Sequence, residues 1–328
     1  MAKVPVTVLG MGGASIGDMY VKISNAQAVQ TLEAAHAHGV TFFDTSPWYG
    51  VGLSEARFGI ALHSVPRDSF FLQTKVGRYL TPSDPNKINR GAFKGGLNLA
   101  PILDYSYDGV MKSFEQSLNR LCVEYIDIAL IHDLDPFTHG KLTQDYFKIA
   151  IKGAYKALKK LKEQGLIKAI GVGLQDVSMC IQFSKAEDFD CMLLANRYTL
   201  LEQNSISNFF SIAKEKNISI LLAGIFNSGI LVKGLVKGVT YEYSPVNPEI
   251  KKKYLKLEQI CNYFKIPVAA AALQFSYTPE VVSTLILGMD QPNQIKENLD
   301  LLNFKIDPDF WINLKKNNII NPDCPTPI

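Results

Sequence analysis

Four side chains in the first half of the chain are of the types that move a proton among themselves: Asp44, Tyr49, Lys75 and His132. Asp44, Lys75 and His132 each close a short apolar run (VTFFD, FFLQTK and IDIALIH), and Tyr49 follows Asp44 by five residues in a turn flanked by Gly50. If the three runs are neighbouring strands, their ends bring all four groups to one place. A buried lysine kept charged by a carboxylate would lower the pKa of an adjacent phenol by stabilising the phenolate. The phenol would then exchange a proton with a substrate oxygen near neutral pH, while the imidazole positions that oxygen through a hydrogen bond. Singly, each residue has a plainer reading, since Asp and Lys at adjacent strand ends pair structurally and a turn tyrosine packs. Their coincidence at three successive strand ends favours chemistry. His36, His38, His63 and His139 do not share that placement and read as helix or loop histidines.

The elements that must position these groups follow from hydrophobic periodicity. Eight short runs rich in Val, Ile and Phe begin near Val6, Val40, Phe70, Ile126, Ala169, Phe189, Ile218 and Val282. Several are apolar on both faces, as buried parallel strands are. Between them lie segments of helical period, such as the stripe Val110, Met111, Phe114, Leu118 and Leu121. Asn25 and Ser54 stand where N-caps would be, and Gly39 and Gly165 where helices would stop. Eight strand–helix units in 328 residues predict an α/β fold, a (β/α)₈ TIM barrel forming a single domain over residues 1–328. Such a barrel binds its ligands at the C-terminal strand ends. Two connections, after the third and seventh strands (Val76 to Tyr107 and Phe226 to Pro248), are long enough to suggest functional loops, and an irregular tail is expected from about Ile306.

Composition narrows the function class. The chain has 34 Lys plus Arg against 31 Asp plus Glu, 47% apolar and 10% aromatic residues, and no run of five like charges. This argues against a nucleic-acid or membrane-surface partner and against disorder. Cys122, Cys180, Cys191, Cys261 and Cys324 are scattered, without a CxxC pair, which argues against a disulfide framework or a structural zinc site. The Met1–Pro5 opening leads into the first strand without a secretory signal, so a cytoplasmic protein is expected, a monomer or small homo-oligomer.

The wording around these residues resembles the aldo-keto reductase family over nearly the whole chain: LGMGG at the start, DTSPWYGVGLSE, LQTKVG, SLNRLCVEYIDIALIHDLD, LKKLKEQGLIKAIGVG and the closing NQIKENL. The DTxxxYGxGxSE element followed by Lys and then His is the specific part. The resemblance implies a metal-free NAD(P)-dependent carbonyl or alcohol oxidoreductase, with Asp44, Tyr49, Lys75 and His132 as its catalytic tetrad. DYSYDGVMKS, LIHDLDP, FDCMLLANRYTLLEQ and IFNSGIL resemble the branch containing aldose 1-dehydrogenases for L-fucose, D-arabinose or L-galactose, and pyridoxal 4-dehydrogenase.

The chain also departs from the family. Where members carry Ser-Asn after the fifth strand to hold the nicotinamide carboxamide, this chain has Gly173-Leu174, and the aromatic that stacks on the ring aligns with Ala223. Asn196, Tyr198 and Phe226 are then candidates to support the ring. Gly12, Asn227, Gly229, Leu231 and Gly288, together with Asp44, complete the expected cofactor contacts, and Gln294 and Asn298 match the adenine side. Asp290 aligns where members that use NADP carry Lys or Arg. A carboxylate repels a 2′-phosphate and accepts a hydrogen bond from a free ribose hydroxyl, so NAD is expected, with NADP as the alternative. Asp290 reads alternatively as a helix N-cap, and Lys296 either as a solvated side chain or as the replacement cation. Trp48, Tyr79, His132 and Asp133, with Phe226 and Asn227, are the expected substrate contacts for a small sugar or aldehyde. The leading reading is an NAD-preferring dehydrogenase oxidising a sugar C1 hydroxyl to the lactone. The alternatives are a pyridoxal 4-dehydrogenase, a general aldehyde reductase, or a non-enzymatic cofactor-binding regulatory subunit, which the intact tetrad disfavours.

Overall fold

The computed structural model describes residues 6–203, 208–242 and 244–327; the Met1–Pro5 opening lies outside them. Eight parallel strands close a barrel: β1 (Leu9–Gly12), β2 (Phe42–Asp44), β3 (Phe71–Val76), β4 (Ile128–His132), β5 (Ala169–Leu174), β6 (Cys191–Ala195), β7 (Ser219–Ala223) and β8 (Val282–Gly288). Each pairs with its sequence neighbour, and β1 closes on β8. All eight apolar runs become barrel strands, with pairing starting a few residues late in some, as at Leu9 rather than Val6.

The two-residue period of a strand separates two cores. Phe42, Ile128, Leu130, Ala169, Cys191, Leu193, Leu221 and Ile286 fill the barrel interior. Alternate residues such as Phe43, Leu72, Ala129, Ile131, Val172 and Met192 pack outward under the helices. The rung after Phe42 on the inner face is Asp44, and the rung after Ile128 and Leu130 is His132. Alternation alone therefore turns these strand-end groups into the barrel mouth. Gly171 is required by close approach, because a Cβ there would overlap the Cys191 carbonyl.

Helix starts differ slightly from expectation. Ser24, not Asn25, caps the helix Asn25–Ala37, its side chain accepting from Gln27 N–H. The next helix, Leu53–Leu62, starts after Gly52 in a left-handed conformation (φ 91°). Ser54 lies inside its first turn, donating to the Gly13 carbonyl (2.8 Å) and bonding Thr45 Oγ1 (2.9 Å), which ties the helix to the β1 and β2 ends. The DTSPWYGVGLSE glutamate, Glu55, is fully buried, with Thr74 Oγ1 at 2.6 Å and Arg120 Nε at 2.7 Å, so its part is structural.

Neither long connection is featureless. The first contains an antiparallel hairpin, Arg78–Pro82 against Leu99–Leu103. The second contains a short helix, Ile230–Lys233, and a Thr240–Tyr241 and Ser244–Pro245 pairing. The tail expected to be irregular from about Ile306 instead forms a helix, Pro308–Lys316, which buries Phe310, Trp311 and Leu314. Asp307 caps it and Pro308 opens it, a start signal compatible with a helix of only nine residues. Beyond Lys316 the described chain carries no regular element.

Candidate active site

The tetrad assembles as the strand ends predict. Lys75 Nζ, 1% exposed, lies 2.6 Å from Asp44 Oδ1 and donates to the Thr45 carbonyl at 2.8 Å. Gln73, one inward rung below Lys75, gives Asp44 Oδ1 a second donor through Nε2 at 2.6 Å. The same ammonium sits 4.6 Å from the centre of the Tyr49 ring. Tyr49 meets His132 edge to face, with ring centroids 5.9 Å apart. Asp44, Lys75 and His132 come from β2, β3 and β4, and Tyr49 from the turn after β2.

His132 is held at both nitrogens. Ser46 Oγ lies 3.2 Å from Nδ1 and also accepts the Trp48 N–H at 3.1 Å, so the hydroxyl hydrogen is free to point at the ring. Nε2 lies 3.2 Å from Asp133 Oδ1. Burial, then the charges of Lys75 and Arg78, push the imidazole well below its ordinary pKa. It is therefore neutral. Behind it the Tyr105 hydroxyl donates to the His132 carbonyl at 2.7 Å and contacts His139 Nε2 at 3.0 Å, which gives His139 a bracing position that its loop location did not suggest.

The expectation that Lys75 lowers the Tyr49 pKa is corrected. Burial first, then the carboxylates Asp44 and Asp133, raise the phenol well above its usual value, and the charge that opposes them is Arg78. The physical reason is that Asp44 compensates the Lys75 ammonium at 2.6 Å. Tyr49 thus keeps its proton in this state, beside a neutral imidazole. A phenol O–H and an imidazole N–H are groups able to donate to a carbonyl oxygen.

Beside His132 the barrel mouth also holds a cation not expected from the sequence. Arg78, 8% exposed, stands three positions past Lys75, at the start of the hairpin. Its Nη1 is 2.9 Å from Asp133 Oδ2, and its guanidinium carbon is 5.4 Å from the Trp48 ring centre. Trp48 also packs edge to face on Phe93 at 5.8 Å. Asp133 is held in a left-handed conformation (φ 49°) with its N–H on the Gly173 carbonyl at 3.0 Å. Trp48, His132 and Asp133 therefore share one wall. Tyr79 does not join them. Strand alternation sends it to the other side of the hairpin, where Lys112 Nζ lies 3.9 Å over its ring. The available signal for Arg78 was a cation just beyond a strand end, outweighed by the aromatic beside it.

Around the rest of the rim, Asn196 (φ 62°) donates through Nδ2 to Gln175 Oε1 at 3.1 Å and packs under Gly224, where any side chain would overlap its amide. Gln175 and Asn196 thus form a joined amide pair beyond β5 and β6, and Gln175 was not singled out from sequence. Tyr198 is removed as a support for the nicotinamide. It is 1% exposed in the core, stacked on Phe275 with ring centroids 4.9 Å apart. Phe226 is half-buried beside the long loop, and Leu231 is core.

An observation at Asn227 tests whether this rim suits a nicotinamide dinucleotide. Asn227 is 0% exposed, yet among the described residues neither amide atom has a hydrogen-bond partner. Buried amides left unpaired are costly. It lies in a turn in which Asn227, Ser228 and Gly229 all have positive φ (47°, 57° and 96°). An unspent donor and acceptor beside a glycine turn fit a polar ligand there. Gly12 and Gly288 pair with each other on β1 and β8, and Gly12 with Asp44 on β2, which keeps the adjoining rim low.

Beyond β8, at the residues expected on the adenine side, Gln294 Oε1 accepts from the Asp290 N–H (2.8 Å) and the Gln291 N–H (3.2 Å). Gln27 Nε2 donates to the Asp290 carbonyl at 2.8 Å, and Asn298 donates to the Gln294 carbonyl at 2.8 Å. The N-cap of this helix is Pro292, so the N-cap alternative for Asp290 does not hold. Lys296 pairs with Asp300 at 2.6 Å and is about two-thirds exposed, matching the solvated reading.

The five cysteines are free. No helix of the described residues is long and apolar enough to cross a membrane.

Comparison with known proteins places this geometry in context. The chain is 34% identical over 326 residues to pyridoxal 4-dehydrogenase of Microbacterium luteolum, covering 96% of this chain and 95% of that protein. It is 32% identical over 332 residues to D-threo-aldose 1-dehydrogenase of a Pseudomonas species, covering 99% and 97%. Its fold superposes on the holo form of an aldo-keto reductase from Bacillus halodurans with a TM-score of 0.73, at 22% identity, over 95% of this chain and 92% of that one. The aldo/keto reductase family profile matches residues 8–319. With its strand-end tetrad in a closed eight-stranded barrel, the chain belongs to the aldo/keto reductase family.

Proposed function

We propose that this oxidoreductase is an NAD-preferring aldose 1-dehydrogenase, oxidising the C1 hydroxyl of a sugar such as L-fucose, D-arabinose or L-galactose to the lactone. The observation that carries the reading is the wall made by Tyr49, His132, Asp133 and Arg78, which pairs two donors for the reacting oxygen with a carboxylate and a guanidinium suited to hydroxyls. The dehydrogenase names of the two relatives point the same way. A nicotinamide dinucleotide, when bound, accepts or supplies the hydride. Asn196, Gln175, Phe226, Asn227 and Gly229 would hold it at one end, and Asp290, Gln294 and Asn298 at the other.

The chain's own residues handle the oxygen and the proton. His132 Nε2–H orients the reacting oxygen, and Tyr49 Oη exchanges the proton with it. Lys75 and Asp44 hold the phenol's surroundings rigid, so little reorganisation is needed during transfer. In the reducing direction the raised Tyr49 pKa keeps the donor loaded. In the oxidising direction Tyr49 must first release its proton, so the rate of sugar oxidation rises with pH above neutral. Pyridoxal is the second substrate reading, resting on the 34% relative.

The deciding experiment is steady-state turnover of NAD with a panel of aldoses, with pyridoxal alongside, and of NADH with simple aldehydes. Aldose oxidation with NAD is the expected result. Turnover of pyridoxal alone would transfer the assignment to the second reading, and absence of turnover with every substrate would leave a cofactor-binding regulatory subunit.

A further inference from the structure

Arg78 is the most deeply placed cation in the mouth apart from Lys75, and its hydrogen-bonding capacity is not used up. Its Nη1 is buried and 2.9 Å from Asp133 Oδ2, yet outside hydrogen-bond geometry with any partner among the described residues. Asp133 Oδ1 meanwhile lies 3.2 Å from His132 Nε2. A substrate oxygen that approaches Nε2 must enter beside this carboxylate. When it does, it displaces Asp133 Oδ1 from that contact. The carboxylate cannot follow the imidazole, because its backbone is fixed to Gly173 and Arg78 holds its other oxygen.

We propose that Arg78 is a specificity-determining residue which, with Asp133, reads a hydroxyl on the carbon next to the reacting one. The enzyme would thereby select 2-hydroxyaldehydes and their cyclic forms over aldehydes without that group. A hydroxyl suits the pair because it both donates and accepts: it gives its hydrogen to the vacated Asp133 Oδ1 and takes one from Arg78 Nη1. A bare aldehyde does neither and leaves a buried guanidinium and a half-buried carboxylate without that partner, a strong form of discrimination for a polar site. A carboxylate or phosphate in this place would repel Asp133. The mouth is balanced in charge, Lys75 against Asp44 and Arg78 against Asp133, so it favours a neutral polyhydroxyl substrate. Trp48, under the guanidinium, keeps Arg78 from swinging outward.

The proposal rests on the oxidoreductase reading above, and the test separates the two. Reduction of D-glyceraldehyde and of propanal by NADH compares three-carbon aldehydes with and without hydroxyls, in the wild type and in Arg78→Met. The wild type should favour glyceraldehyde in kcat/KM by at least about 10²-fold, the scale of charge-assisted hydrogen bonds to a substrate. Arg78→Met should reduce that preference at least about tenfold, mainly through the KM of glyceraldehyde; propanal turnover also falls, because Arg78 bears on the charges at Tyr49 and His132, so the ratio of the two substrates is the readout. A thermal melt checks that the variant is folded. If the variant loses both activities together, Arg78→Lys, which keeps the charge but not the planar fork, decides the matter: loss of preference supports the proposal and an unchanged preference overturns it. A wild type indifferent to the hydroxyl overturns the proposal while leaving the oxidoreductase reading intact. Failure to reduce either aldehyde overturns both.

Discussion

Replacing Lys75 by Met isolates the buried charge at the centre of the site. The variant leaves the Asp44 carboxylate, 3% exposed, with Gln73 Nε2 and no cation. Removing one partner of a buried pair costs on the order of 3–5 kcal/mol. The carboxylate has an escape, which is to protonate. Moving from an ordinary carboxyl pKa near 3.9 to neutrality at pH 7 costs about 1.4 kcal/mol per unit over roughly three units, or about 4 kcal/mol. At pH 5 the same escape costs only about 1.5 kcal/mol. Lys75→Met should therefore destabilise the protein by about 4 kcal/mol at pH 7 and by about 2.5 kcal/mol less at pH 5, read as urea midpoints at the two pH values. Adding Asp44→Asn to Lys75→Met should recover most of the loss, since uncharged replacements of a buried pair are often neutral. Activity should fall by at least about 10²-fold, because the phenol loses its preorganised neighbour. A destabilisation below about 1 kcal/mol, or one that does not change between pH 7 and 5, would refute the buried-pair reasoning.

Three further outcomes are expected. Tyr49→Phe removes the exchangeable proton but little volume, so kcat should drop by at least about 10²-fold with dinucleotide binding, followed by fluorescence titration, almost unchanged. On the proposed NAD reading, with Asp290 at the ribose 2′ position, kcat/KM for NAD should exceed that for NADP by at least about tenfold, and Asp290→Arg should narrow or reverse the ratio. The depressed His132 pKa means that the folded state resists a proton which the unfolded state takes up near its ordinary 6.5. This contribution to stability is present above pH 6.5 and is lost as pH falls below it, by up to about 1.4 kcal/mol per pH unit; His132→Gln should flatten that slope in thermal melts recorded from pH 7 to 5.

Much of the site was legible because it lies in strands. A strand has a fixed two-residue period, so once Phe42, Ile128 and Leu130 are taken as interior, Asp44 and His132 must face inward at the next rung. The short spacing from Asp44 to Tyr49 fixes the phenol's position almost as firmly. Outside the strands the reading was weaker. Tyr79 and Arg78 are adjacent, and which of them turns toward Asp133 and the barrel mouth depends on the hairpin that pairs Arg78 with Leu103 and Tyr79 with Ile102. No local pattern encodes that pairing. Tyr198 looked like a ring support because it follows the sixth strand, but the helix Val268–Ser276 brings Phe275 onto it from far along the chain. The terminal helix Pro308–Lys316 was obscured because its apolar face is short and gains its stability from the core it covers.

The sequence by itself therefore determined the barrel, the order of its strands and which four side chains meet in its mouth, since all of these rest on local periodicity and on side chains at strand ends. Only the tertiary structure decided their protonation states and the second wall of the site. A pKa is set by every charge and dipole within several ångströms, whatever its distance along the chain. Asp133 and Arg78 act on Tyr49, 84 and 29 residues away in sequence, and the sum leaves the phenol protonated, whereas the sequence reading had its pKa lowered by Lys75.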